Sequence, residues 1–360
     1  LARHVSDIDI YHTEEDRSEY NNGLFWHTDH YLDAHTSTHR TFTRHNETSS
    51  TPGQTGGGPA AEHCYTTGFL YHYLMTGNED SREAVFDLVS WMVALHEGEG
   101  GFFEQVFALK KYELPKLQAF LKGQSPTVHR FPFTRGTGNY LNALMDAWLL
   151  DPSGLWLSKA ENVLDNTIHP SDDIQKRDLL SIETGWSYLI LLTSVARYLR
   201  QRHQLIGKDE HWSYINLAFL HYIEWMEQND TLFLSASERL EYPNATWAAQ
   251  DIRKSSIMFR GAVSCPEKYE NYAKKGKIWF DNTLTYLANS HERHYSRVQI
   301  ILLQNHGFHR LRDVGTFNKA QDQIKNQPFG SPNLKWSVLF RRIFFRLIRA
   351  LITFSPSREV

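Results

Sequence analysis

From residue 61 onward, apolar residues recur three and four positions apart in nearly every stretch, and the strict alternation that a half-buried strand needs is scarce. A chain patterned in this way must bury stripes on helices, so the expected class is all-α. Four short turns divide the pattern: TGNED at 76–80, LDPSG at 150–154, IGKDE at 206–210 and SCPEK at 264–268. In each, Gly or Pro stops one helix and a neighbouring Asp, Ser or Glu starts the next, which makes an antiparallel hairpin. Helices are expected over 62–75, 81–96, 138–150, 153–168, 183–205, 209–228, 246–264, 267–289 and 295–306. The hairpins are separated by longer stretches at 97–136, 169–182 and 229–245, rich in Gly, Pro, Ser and Asp and expected as loops. Four hairpins with alternating short and long connections describe an (α/α) toroid, incomplete or complete. In such a ring the inner helices surround a cleft and the long loops build its rim.

With 360 residues the chain is long enough for a full core, and residues 1–330 read as one toroidal domain followed by a basic amphipathic tail at 331–360. It opens at Leu1 without a charged-then-apolar leader and is expected to be a piece of something longer. A net charge of -3, with scattered cations, argues against a nucleic-acid partner. Cys64 and Cys265 lack a CxxC companion and are expected as small buried hydrophobes. Ten Trp within an aromatic content of 13% suit a protein that stacks rings on sugars, although most of these rings are expected to fill gaps between helices.

Functional residues concentrate near the start. Eight of the nineteen His fall within the first 63 positions, together with Trp26, Asp29, Tyr31, Arg40, Glu62 and Tyr65. Imidazole and phenol move protons near neutral pH, so this density points to a cleft doing acid–base work. His27, Tyr31, His35 and His39 follow one another at i+4 and would form one stripe on a helix, with His30 beside it. Three readings of that stripe compete. His35 and His39 have metal-ligand spacing, with Asp29, Asp33 or a distant residue as carboxylate, but no HExxH or CxxC accompanies them; a divalent metal is the minority reading and no cofactor is expected. A metal-free acid–base set is favoured. For single histidines such as His4, His12 and His45, hydrogen bonds to loop backbone are the simplest role. GGGP at 56–59 lacks the GK[ST] of a phosphate loop, and its glycines are expected to turn the chain so that Glu62 and His63 reach the mouth of the first inner helix. No GxSxG elbow supports a nucleophilic triad.

The starts of the inner helices carry the remaining candidates: Glu62, His63 and Tyr65; Gly138, Asn139 and Tyr140; Glu183, Thr184 and Trp186; and Trp247, Gln250, Asp251 and Arg253. Arg130 and Arg135, beside Phe131 and Phe133, are suited to fork a carboxylate such as that of a uronic acid. At the other end of the chain, Lys335, Arg342, Arg346 and Arg349 share one face of a helix over 335–354, and no acid occurs between Ile324 and Ser357. That helix suits a membrane surface or an acidic protein partner; alternatively it closes the ring with its arginines in water. Arginines interrupt its apolar run too often for a transmembrane span.

The stretch ARHVSDIDIYHTEEDRSEYNNGLFWHTDHYLDA, with the later EHCYTTGFLYHYLMTGNEDSREAV, resembles the toroidal domain of exo-rhamnogalacturonan lyase-like proteins and, more loosely, the six-hairpin glycosidases. The likeness covers mainly residues 2–85. Its most specific parts are Asp7, Asp9, His12, His27, His30, His63 and the turn from Leu74 to Asn78. The resemblance implies a carbohydrate-active toroid. Combined with the residues, it gives an expected polysaccharide lyase acting by β-elimination on an acidic poly- or oligosaccharide. His30 or His63 would be the base, Tyr31 or Tyr65 the acid, and His27 and Glu62 further members of the catalytic group. Arg130 or Arg135 would neutralise the carboxylate, with Trp26, Asp29, Arg40, Trp186, Trp247 and Asp251 binding substrate. The first alternative is a glycoside hydrolase with a carboxylate pair drawn from Asp29, Glu62, Glu183 and Asp251. The second is a non-catalytic glycan-binding or assembly domain.

Overall fold

The computed structural model describes residues 1–15, 21–24, 61–98, 101–291, 296–310, 329 and 331–354. Among them the protein is all-α, with two isolated β-bridges, Ile10 to Leu24 and Thr127 to Asn333. The main helices are α1 (Thr67–Thr76), α2 (Glu79–Val93), α3 (Phe102–Ala108), α4 (Leu114–Leu121), α5 (Arg135–Leu150), α6 (Trp156–Asp165), α7 (Tyr188–Leu205), α8 (Glu210–Asn229), α9 (Ala245–Ser264), α10 (Tyr269–Asn289), α11 (Ser296–Asn305) and α12 (Trp336–Thr353).

The turn chemistry read from the sequence is visible in the backbone. Gly77 adopts φ +68 and its N–H bonds Tyr73 O at 2.7 Å, ending α1 in the left-handed region that glycine tolerates. Asn78 then starts α2, its Oδ1 accepting from Ser81 N at 3.0 Å. Asp209 caps α8 through Trp212 N at 2.8 Å, and Asn244 caps α9 through Thr246 N at 2.9 Å. Two helices were not expected: α3 and α4 occupy the stretch 97–136 that reads as loop. Pro115 sits in the first turn of α4, where its missing N–H costs nothing.

Two compact units divide the chain. The first comprises Leu1–Phe131, Asn139–Val163 and Asn333–Val360, and the second Pro132–Gly138 and Leu164–Pro332. The segment expected as an appended tail therefore belongs to the first unit. The first core gathers Leu70, Val85, Leu88, Met92, Leu144 and Val163, all buried. Around it runs a polar seam. Glu97 Oε1 accepts from Tyr140 Oη at 2.6 Å, and Glu97 Oε2 pairs with Lys159 at 3.2 Å. Arg346, buried on α12, donates to Glu97 O and to Gln105 Oε1, both at 3.1 Å, and pairs with Glu113 at 3.3 Å. This corrects the expected orientation of the C-terminal helix. Of its basic face, Arg346 is buried and Arg342, half-buried, reaches Val128 O at 3.4 Å because acceptors wait there, while Lys335 and Arg349 stay exposed.

In the second unit, α7, α8 and α9 bury Leu192, Val195, Ile215, Phe219, Ile252 and Met258. Helix α5 enters this unit through Gly138, where a Cβ would stand 2.9 Å from Leu191 Cα. Only a glycine permits that approach of two backbones. A buried charge group braces the loop after α8. Lys254 Nζ bonds Asp230 Oδ1 at 2.8 Å and the carbonyl of Thr231, and lies 3.5 Å from the centre of the Phe233 ring. Tyr188 Oη donates to the other oxygen of Asp230. A second such group joins Asp172 to Arg177 at 2.9 Å and Tyr222 at 2.6 Å, with Phe133 stacked on Tyr222.

Candidate functional site

The first residues of α5, the segment before α7, and the first turn of α9 bring three of the expected substrate-binding side chains together in the second unit. Arg135 opens α5, and its backbone N–H donates to Ser187 Oγ at 3.4 Å, which joins the start of α5 to the residue preceding α7. Its guanidinium lies 5.9 Å from the centre of the Trp186 ring. Trp186 meets Trp247 edge to face, with ring centres 6.2 Å apart and planes at 89°. Phe233 backs Trp247 at 5.1 Å, and Trp247 Nε1 donates to Tyr242 O at 3.2 Å, so the indole is held in orientation by packing and by a hydrogen bond.

Arg135, Trp186 and Trp247 are half-buried, while Tyr242 and Glu183 are exposed. Glu183 Oε1 accepts from Glu241 N at 2.8 Å, tying the turn Ile182–Gly185 to the loop before α9. Two indoles at right angles form an apolar corner with a cation beside it. Indoles in general stack on flat, partly apolar rings and a guanidinium attracts negative groups, which is the chemistry this corner offers.

In the first unit, Ala61–His63 form one 3-10 turn ahead of α1. Asn139 Nδ2 donates to Glu62 O at 2.6 Å. The hydroxyls of Thr66 and Thr67 both donate to the buried carboxylate of Asp146, at 2.6 and 2.8 Å. Helix α5 thereby pins this segment from two positions. Glu62 and Tyr65 are exposed and His63 is half-buried. Cys64 is buried, and burial followed by the nearby Asp146 pushes its thiol well above its ordinary range, so it is no nucleophile. Cys265, expected to be buried too, is half-exposed, with its thiol 3.4 Å from Glu267 Oε2.

Trp26, His27, Asp29, His30, Tyr31 and Arg40 lie outside the described residues, as do His35, His39 and the GGGP loop. Among the described residues no group of three or more His, Cys, Asp or Glu is placed to hold a metal. His12 Nε2 lies 2.6 Å from Ser6 O, the backbone role expected for a loop histidine.

Two expected substrate contacts are directed at protein atoms. Arg130 donates to Glu97 O at 2.9 Å and stacks over Tyr112 at 4.9 Å, within the polar seam of the first unit. Asp251 is only 2% exposed; both its oxygens accept from Phe233 N, at 2.9 and 3.1 Å, and Lys254 lies 3.9 Å away. Burial, partly opposed by Lys254, pushes its carboxyl up to about 7. The physical reason is its place on α9, where residues 248–252 are all buried.

The groups that sequence reasoning missed are Lys254, Asp230 and Tyr188, and a cavity of about 520 Å³ in the second unit that Asn216, Glu224, Lys268 and Tyr272 help to line. None of the expected site residues among those described lines that cavity. One local signal existed: Asp251 and Lys254 stand three apart on one helix. No family model, curated protein or solved structure matches this chain.

Proposed function

We propose that the chain is a carbohydrate-active enzyme, a lyase that cleaves a uronic-acid-containing glycan by β-elimination, built on an (α/α) toroid of helical hairpins. The observation that carries this reading is the corner made by Arg135, Trp186 and Trp247, a cation beside two half-buried indoles at the starts of α5, α7 and α9. The toroid is supported by the alternation of short turns with longer connections. Contrasting burial also supports it: α5 and α9 are buried on most sides, whereas α6 and α10 are buried along one stripe.

In β-elimination a base removes the proton next to the carboxylate, the electron pair left behind forms a carbon–carbon double bond as the C–O bond to the leaving sugar breaks, that bond's pair goes to oxygen, and an acid protonates the oxygen. Arg135 would bind the carboxylate and stabilise the charge that builds on it as the proton departs. For base and acid the sequence offers His30 or His63 and Tyr31 or Tyr65, on the chemistry of imidazole and phenol alone. Asp251, buried against the Phe233 amide, is poorly placed for the carboxylate pair of a hydrolase.

The test is a panel of acidic and neutral polysaccharides scored for ultraviolet absorbance and for new reducing ends. A lyase gives both signals on an acidic glycan. Arg135→Gln should then lower kcat/KM by about a hundredfold, the weight of one lost charge-stabilising donor, and Trp186→Ala should act mainly through KM. Reducing ends without absorbance would identify a hydrolase, and binding without turnover a glycan-binding module.

A further inference from the structure

Helix α12 is apolar on its outward side as well as its inward one. Leu339, Arg346 and Ala350 point into the first unit, with Arg346 satisfied by Glu97 O, Gln105 and Glu113. The opposite side is apolar and open: Phe344 is 59% exposed, Leu351 73% and Ile352 77%, with Phe340 between Trp336 and Phe344 on the same arc. The patch extends beyond α12. Helix α3 packs beside it, with Phe102 against Phe354 at 5.7 Å, and presents Phe103 and Phe107 outward. Apolar faces of this size are rare on proteins that meet only water.

Charge identifies what covers it. The run from 324 to 358 holds no acid, and Lys335, Arg341 and Arg349 on and before α12, with Lys110, Lys111 and Lys122 after α3 and α4, are exposed cations. A second copy placed on this face by a two-fold axis would bring like-charged rims together, whereas anionic headgroups complement them. Arg341, within the apolar arc, has a stem long enough to keep its charge at headgroup level. Among the described residues no helix is long and apolar enough to cross a membrane, so the helix would lie in the surface plane.

We propose that the first unit docks on an anionic lipid surface through the outward faces of α12 and α3. The test floats the full chain with vesicles of phosphatidylcholine alone and of an equimolar mixture with phosphatidylglycerol. The expected result is binding to the mixed vesicles about tenfold or more tighter than to the neutral ones, weakening as salt is raised. Leu351→Asp with Ile352→Asp should abolish binding, and Lys335→Glu with Arg341→Glu should remove the preference for anionic lipid. All four positions are exposed, so helicity and melting should stay at the wild-type values. Binding to the mixed vesicles no stronger than to neutral ones overturns the proposal, as does undiminished binding by the aspartate variant. A wild-type dimer that the aspartate variant splits, with neither protein floating, would assign the face to a second copy and overturn it equally. Polysaccharide turnover is read separately, so either reading can fail alone.

Discussion

Replacing Asp251 by Asn tests whether a buried carboxyl is carried protonated through the acid range. Burial raises the wild-type group from its ordinary 3.8 to about 7. A carboxyl whose folded value is raised favours the protonated native state, so its contribution is greatest below the unfolded value and is lost as pH climbs through 7. At pH 5 the folded carboxyl is almost wholly protonated while the unfolded one is almost wholly ionised; at pH 8 both are ionised. With each unit of separation worth about 1.4 kcal/mol, the wild-type protein should lose roughly 2–3 kcal/mol from this group between pH 5 and pH 8. The amide of Asp251→Asn keeps the shape and an acceptor for Phe233 N but cannot titrate. Urea unfolding of both proteins at the two pH values, followed by circular dichroism, gives the difference directly. The gap between them should move by roughly 2–3 kcal/mol in favour of the variant on going to pH 8. A gap that stays constant with pH would show that Lys254, 3.9 Å away, keeps the carboxylate ionised throughout, and would refute the reasoning.

Two further outcomes bear on the helix framework. Tyr140→Phe removes the donor that holds buried Glu97 at 2.6 Å and should cost about 1.5–3 kcal/mol in urea unfolding, the range for a hydrogen bond to a charged group; an unchanged midpoint would mean that Lys159 alone satisfies the carboxylate. Gly138→Ala sets a methyl 2.9 Å from Leu191 Cα and 3.0 Å from Leu191 N, backbone atoms that cannot swing aside. A loss of about 1–3 kcal/mol is expected, and a melting temperature equal to wild type would show that α5 and α7 separate freely.

The hairpins were legible because their signals are local. Gly77 ends a helix at its own position, and Asn78, Asp209 and Asn244 cap helices through amides two or three residues away. Helices α3 and α4 were hidden because Gly98, Gly101, Gly123 and Pro126 bracket them closely, so the stretch reads as loop although each piece between the breakers is helical. Helix α12 was legible as amphipathic, but periodicity defines two faces without saying which turns in. That choice depended on Glu113, Gln105 and the Glu97 carbonyl, more than two hundred residues earlier. Arg135, Trp186 and Trp247 were legible only as residue types at helix starts, and the fold brings those three starts together. Asp251 could not be read correctly, because its surroundings are made by Asp230 and Phe233 across the α8 to α9 loop, and Tyr188 reaches Asp230 over 42 residues. Arg130 is similar: its acceptor belongs to residue 97, 33 positions away.

The bond from Arg346 to the Glu97 carbonyl spans 249 positions of sequence, and the bulk of the second unit is encoded between them. On a ribosome adding about 5–20 residues per second, the earlier partner waits on the order of ten to fifty seconds for the later one. Throughout that interval Gln105 and Glu113 have emerged without their arginine, while residues 164–332 are synthesised without interruption. The nascent chain thus completes the interleaved unit before the first unit receives its closing helix, with its open aromatic side.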